Sequence, residues 1–109
     1  MSQYFPDPAE FGRHTIFESV QIRTCAGEHV QFSLVDIPPG GVVGEHNHAN
    51  EQMGLVLEGE MDFTIGGETK RLKAGDVFRI PGGVPHSVVA GNKPAKALDV
   101  FYPIRDEYR

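Results

Sequence analysis

The chain of 109 residues has no tryptophan, a single cysteine and no excess of positive charge. Each shortage excludes something. One thiol, Cys25, cannot close an internal disulfide, so a reducing cytoplasmic setting is the expectation, with Cys25 as a buried structural thiol. Ten Lys and Arg against fifteen Asp and Glu leave a formal net charge of −5. No basic run is present to track a nucleic-acid backbone or grip an anionic membrane. No apolar stretch approaches the ~20 residues that a bilayer span needs. The N-terminus, MSQYFPDPAEFGRH, lacks a positive start followed by an apolar block, so no secretory signal is expected. Sustained helical periodicity is missing too. The best candidate is a single turn near DPAEFGRH, within a segment 1–14 expected to be irregular.

What the chain does have is punctuation. Thirteen glycines and eight prolines divide it into short runs of alternating apolar and polar residues, the period of half-buried strands. TIFESVQIRT reads as one strand reaching the turn CAGE, and HVQFSLVDI as another, stopped by PPGG. EQMGLVLEGEMDFTIGGETKRL reads as three strands, with hairpin turns at EGE and IGGE. DVFRI, closed by PGGVP, then HSVVAG and AKALDVFY complete the set. Short strands with turn signals this regular imply one all-β domain over residues 1–109, a sandwich or barrel.

Chemistry concentrates at GEHNHANEQMGLVLEGE, residues 44–60. In a strand, residues i and i+2 face the same way, about 6.7 Å apart. His46 and His48 can thus aim two imidazoles at one point. If the strand continues unbroken, Gln52 shares their face and Glu51 points away; a β-bulge would exchange the two. An amide oxygen brings no charge to a divalent ion, so a site built with Gln52 stays near +2 and is the stronger Lewis acid. The same lack of charge disfavours a trivalent oxidised state and favours redox-neutral chemistry. Imidazole with an amide oxygen suits Zn, Ni, Fe, Co or Mn.

In the final strand, Ala97, Asp99 and Phe101 share one face, and Leu98, Val100 and Tyr102 the other. An aspartate on an otherwise apolar face is costly to bury alone. Arg105 or a metal cavity would supply its partner. The opposite apolar face needs cover from a second subunit, giving a homodimer, or from the N-terminal segment around Phe5 and Phe11. His14 and His29 lie outside these groupings and are expected to be surface or structural residues.

The glycine framing adds a resemblance. Gly40, His46, His48, Gln52 and Gly59 are spaced as in the first motif of the cupin superfamily, and Gly75, Pro81, Gly83 and His86 as in the second. The core motifs occupy residues 40–59 and 75–90. A closing asparagine is replaced by Ala90, and Gln52 stands where most cupins carry glutamate. The resemblance implies a small double-stranded β-helix, or jelly-roll barrel, with His86 as the third histidine ligand. A single cupin of this length closing in D-x-F-x-P-x-R resembles the KdgF-type sugar-acid cupins of pectin and alginate breakdown. That resemblance implies one divalent ion on His46, His48, Gln52 and His86, with Asp99, Phe101 and Arg105 in the same pocket. It further implies opening of 4,5-unsaturated monouronates to the linear 5-keto-4-deoxyuronate, the substrate being a small anionic sugar acid. Two other readings stand beside it: a cupin dioxygenase acting on a small organic substrate, and a non-catalytic small-molecule-binding cupin.

Overall fold

The structure, a computed structural model, describes residues 3–109. A short 3-10 turn at Pro8–Glu10 leads into ten strands: β1 (Gly12–Ile16), β2 (Val20–Ala26), β3 (Gln31–Ile37), β4 (Val42–His46) and β5 (Glu51–Glu58). They continue as β6 (Glu60–Ile65), β7 (Glu68–Lys73), β8 (Val77–Ile80), β9 (His86–Ala90) and β10 (Ala95–Tyr102), followed by a second 3-10 turn at Asp106–Tyr108. Six strands form one antiparallel sheet in the order β1-β2-β3-β10-β5-β8, and four form another in the order β4-β9-β6-β7. Neighbours in a sheet are mostly distant in sequence, which is the winding of a jelly roll.

Alternation in the strands builds the core. The inward residues of β2 and β3, among them Val20, Ile22, Val35 and Ile37, meet Met61, Phe63 and Val88 from the smaller sheet. Phe63 and Phe78 join the two sheets with ring centroids 4.4 Å apart. Burial of apolar side chains of this size stabilises by roughly 1.5–3 kcal/mol each, which makes this seam the main source of cohesion.

Three expectations are corrected. TIFESVQIRT is two strands: β1 pairs with β2 in register Ile16↔Val20 around a tight turn at Phe17–Ser19. The same pairing draws residues 12–14 into a strand, so within that segment the described residues 3–11 are the ones without β structure. EGE is not a hairpin either. β5 pairs with β8 and β10 in one sheet, and β6 with β7 and β9 in the other. Gly59 therefore turns the chain from one sheet to the other, with φ +75 and an added Cβ only 2.5 Å from the Pro94 carbonyl oxygen. IGGE is a hairpin, joining β6 to β7.

On β10 the faces divide as their alternation implies. Phe101 is buried, whereas Tyr102 is exposed, and Leu98 and Val100 line an outer groove with Val30, Met53, Leu55 and Val77. Residues 3–11 do not line that groove: Phe5 is exposed, and Phe11 lines a separate surface groove with Thr24, Cys25 and Arg109. Cys25 is a free, partly buried thiol on β2. Among the described residues no helix is long and apolar enough to cross a membrane.

Candidate metal centre

The site lies at one end of the sandwich, where β4 and β9 of the smaller sheet face β5 and β10 of the larger. His46 closes β4 and pairs directly with His86, which opens β9, and the register shifts between Val43 and His46. Their rings lie 4.3 Å apart. The HxH pair does not lie on one strand, so strand alternation does not set the direction of His48. β4 stops at His46, and His48 stands in the connection to β5. Loop packing aims it instead. Gly83 N–H donates to the His48 carbonyl at 2.8 Å, and a Cβ at Gly82 would lie 2.4 Å from the Ala49 oxygen. The PGGVP loop can press against the histidine loop only because position 82 has no side chain.

Each histidine is held by the same device. His46 Nδ1 meets the Gly44 carbonyl at 2.8 Å, His48 Nδ1 the Asn50 carbonyl at 3.0 Å, and His86 Nδ1 the Val84 carbonyl at 2.9 Å. A carbonyl can only accept, so Nδ1 carries the proton and the Nε2 lone pair of each neutral ring is left for the centre. Burial lowers the His48 pKa, helped by the Arg105 charge, and burial pushes His86 down to about 4. Both are therefore neutral at pH 7. Ligand atoms of His46, His48 and His86 lie within 4.8 Å of one another and could hold a metal ion. Among the described residues this is the one such cluster. His86 Nε2 is buried with no hydrogen-bond partner, which is the signature of a donor atom awaiting an acceptor of its lone pair.

Gln52 is buried, and its Oε1 lies 3.0 Å from His48 Nε2. With the His48 proton on Nδ1, two lone pairs face each other there, an arrangement that a cation between them relieves. Glu51 is exposed on the outer face of the sheet. The residues present thus fit one divalent ion.

Opposite Gln52 on the paired strand is Phe101, which rests against His48 with centroids 5.7 Å apart. Two residues back, Asp99 lies between Gly54 and Ser33 in the sheet, and its Oδ1 is enclosed without a hydrogen-bond partner. Burial pushes its carboxyl up to about 7, against the opposing pull of the Gln52 amide and the Arg105 charge. Arg105 does not form the ion pair with Asp99 that its spacing suggested. Its Nε donates to Glu107 Oε1 at 2.9 Å, and its guanidinium lies over the Tyr108 ring at 4.1 Å and the Phe101 ring at 5.2 Å. Asp99, Phe101, Arg105, Gln52, His46 and His86 nevertheless line one cavity.

Several residues of the site escaped sequence reasoning. Gln31, buried beside Phe101, accepts from Arg105 N–H at 2.9 Å and donates to the Arg105 carbonyl at 3.2 Å. Asn50 donates to the Pro103 carbonyl at 2.6 Å, tying the His48 loop to the tail. Phe17 and Tyr108 line the cavity. Only Gln31, a polar residue at an inward position of a strand, left a readable signal. His14 contacts the Arg109 carbonyl at 3.1 Å, and His29 is exposed beside Glu28, so neither joins the centre.

A jelly roll carrying a histidine triad at one end of its sandwich defines a cupin with a candidate metal site. The chain belongs to the cupin family, whose cupin domain matches residues 33–101. Among solved structures it is similar to KdgF from Halomonas sp., with TM-score 0.84 and 28% identity, covering 94% of this chain and 96% of that one. Among curated proteins it is 37% identical over 97 residues to the H2HPP isomerase of Bacillus subtilis, covering 87% of this chain and 41% of that protein. It is 46% identical over 50 residues to the HTH-type transcriptional regulator PuuR of Escherichia coli, covering 45% of this chain and 27% of the regulator. The chain thus spans less than half the length of these two curated relatives.

Proposed function

We propose that the protein is a metal-dependent enzyme that opens 4,5-unsaturated monouronates to the linear 5-keto-4-deoxyuronate. The observation that carries this reading is the placement of Asp99: a carboxyl whose Oδ1 is enclosed without a hydrogen-bond partner, in the cavity that Gln52, His46 and His86 line. In the metal-free protein burial raises its pKa to about 7, toward the range in which a carboxyl gives and takes a proton near neutrality. The likeness to KdgF, over nearly the whole of both chains, supports the substrate class.

The substrate is an enol ether carrying a carboxylate. Water adds across its double bond, with the proton to C4 and the hydroxyl to C5. The bond from C5 to the ring oxygen then breaks as the C5 hydroxyl proton passes to that oxygen. This leaves a ketone at C5 and an aldehyde hydrate at C1, which loses water to give the aldehyde. Asp99 is assigned the proton transfer to C4. Arg105 offers the guanidinium N–H groups not bonded to Glu107 to the sugar carboxylate. Phe101 supplies an apolar wall for the ring. His46, His48, His86 and Gln52 would hold the divalent ion, which when bound supplies a Lewis acid for the carboxylate or ring oxygen and a water of lowered pKa. Zn, Ni, Fe, Co and Mn all suit this donor set.

The test is turnover by the metal-loaded protein, followed as loss of the conjugated double-bond absorbance. Asp99→Asn should lower turnover by about 100-fold or more while metal stays bound. Arg105→Met should chiefly raise KM. Gln52→Glu should retain the metal yet slow the reaction. Wild-type rates in both Asp99→Asn and Gln52→Glu would refute the mechanism, and oxygen consumption with another substrate would move the assignment to a dioxygenase. The match to PuuR favours a second reading, a cupin that binds a small molecule without turning it over. Binding of a uronate with no chemical change would select it.

Two features complete the proposal. The apolar groove containing Leu98, Val100 and Met53 is assigned to a second copy of the chain, as a homodimer. The lone cysteine suits a reducing compartment, and the cytoplasm is the proposed location.

A further inference from the structure

The turn between β1 and β2 breaks a local rule. Phe17 and Glu18 have φ of +47 and +69, in the left-handed region where hairpin turns normally place Gly, Asn or Asp. A bulky side chain there is a genuine outlier. Such a conformation persists only where the surrounding structure holds it, and it concentrates at functional positions. The turn lies over the metal centre. The Phe17 ring is 5.2 Å from the His46 ring, and a Cβ at Gly44 would lie 3.5 Å from it, so the ring rests on the end of β4. It also lines the cavity that Asp99, Phe101 and Arg105 share, and 39% of Phe17 remains exposed. A ring required only for the core would be covered more completely, and a residue required only for the turn would not be phenylalanine.

The two aromatic rings rest on different histidines. Phe17 rests on His46 and Phe101 on His48, with the His46 and His48 rings 5.8 Å apart. We infer that Phe17 is a specificity-determining residue: beside the wall that Phe101 gives, its face is a second one, against which the apolar side of a cyclic sugar acid packs while Arg105 takes the carboxylate. Aromatic-lined walls with a few fixed polar groups are how small-ligand pockets orient a ring. An open-chain acid of the same charge can reach Arg105 but gains little from a flat wall. This inference rests on the sugar-acid reading for the ligand class, though not on the reaction.

The test uses zinc-loaded protein and two unreactive probes, cyclic galacturonate and open-chain gluconate, titrated calorimetrically. The wild type should prefer galacturonate. Phe17→Asn suits the turn but removes the wall, and should reduce that preference about tenfold. Phe17→Tyr should preserve it. Zinc content should not change in either variant. The Tm of Phe17→Asn should stay within about 5 °C of wild type, because lost packing and relieved backbone strain oppose each other. An unchanged preference in Phe17→Asn, a wild type that binds neither probe, or a fall in Tm of more than about 10 °C with zinc lost would each overturn the assignment. The enzymatic reading fails separately. A wild type that turns over no unsaturated monouronate, yet loses its ring preference on Phe17→Asn, refutes the reaction and upholds the role of Phe17. Turnover with an unaltered preference does the reverse.

Discussion

Gln31→Met is the substitution that best tests how the tail is held. The Gln31 side chain is 1% exposed and satisfies both backbone groups of Arg105. Methionine keeps the length and volume but can pair with neither. If the tail stays in place, an N–H and a C=O lose their partners at a cost of about 1–3 kcal/mol each, or about 2–6 kcal/mol together. For a domain of this size each kcal/mol moves Tm by about 4–8 °C, so Tm should fall by at least about 8 °C. If the tail detaches, water satisfies the two groups and the loss of stability is smaller. Arg105 and Tyr108 then leave the cavity, and affinity for a carboxylate such as galacturonate should weaken at least about tenfold. Thermal melts and calorimetric titration of zinc-loaded protein separate the two cases. A variant that melts within about 3 °C of wild type and binds galacturonate equally well would refute the role assigned to Gln31.

Further outcomes follow from the same geometry. His46→Ala or His86→Ala should remove most of the bound divalent ion after dialysis, whereas His14→Ala and His29→Ala should not; elemental analysis decides. In the metal-free protein, Asp99 and His86 should give opposite pH dependences of stability. The Asp99 pKa is raised on folding from 3.8 to about 7, so its contribution is full below pH 4 and is lost as pH rises to about 7. The His86 pKa is lowered from 6.5 to about 4, so its contribution is full above pH 6.5 and is lost as pH falls to about 4. Urea unfolding should therefore show Asp99→Asn losing stability on acidification more steeply than wild type, and parallel profiles would contradict the shifts. Val100→Glu, placing a charge in the apolar groove, should convert a dimer to a monomer by light scattering, and a monomeric wild type would remove the proposed interface.

The sequence alone determined what depends on local pattern. Alternation marked the inward residues of β10, because the period of a strand is independent of its neighbours. Gly and Pro marked the strand ends, and the spacing of His46, His48, Gln52 and His86 was legible because few other arrangements need those residues at those intervals. Pattern failed where the answer depended on pairing. Alternation could not show that EGE passes between sheets, since a hairpin and a crossover use the same turn residues. Nor could it place a turn at Phe17, whose side chain argues against one. It put His48 on a strand when the packing of Gly82 on Ala49 is what aims it. The surroundings of Arg105 were equally hidden. Gln31, Glu107 and Tyr108 reach it from a distant strand and from the following turn, and its ion pair runs to Glu107 rather than to Asp99. Residue type and spacing fix which groups are available for chemistry. Only tertiary contacts decide which of them meet, because burial, hydrogen-bond partners and the resulting pKa values belong to the assembled cavity and not to any one strand.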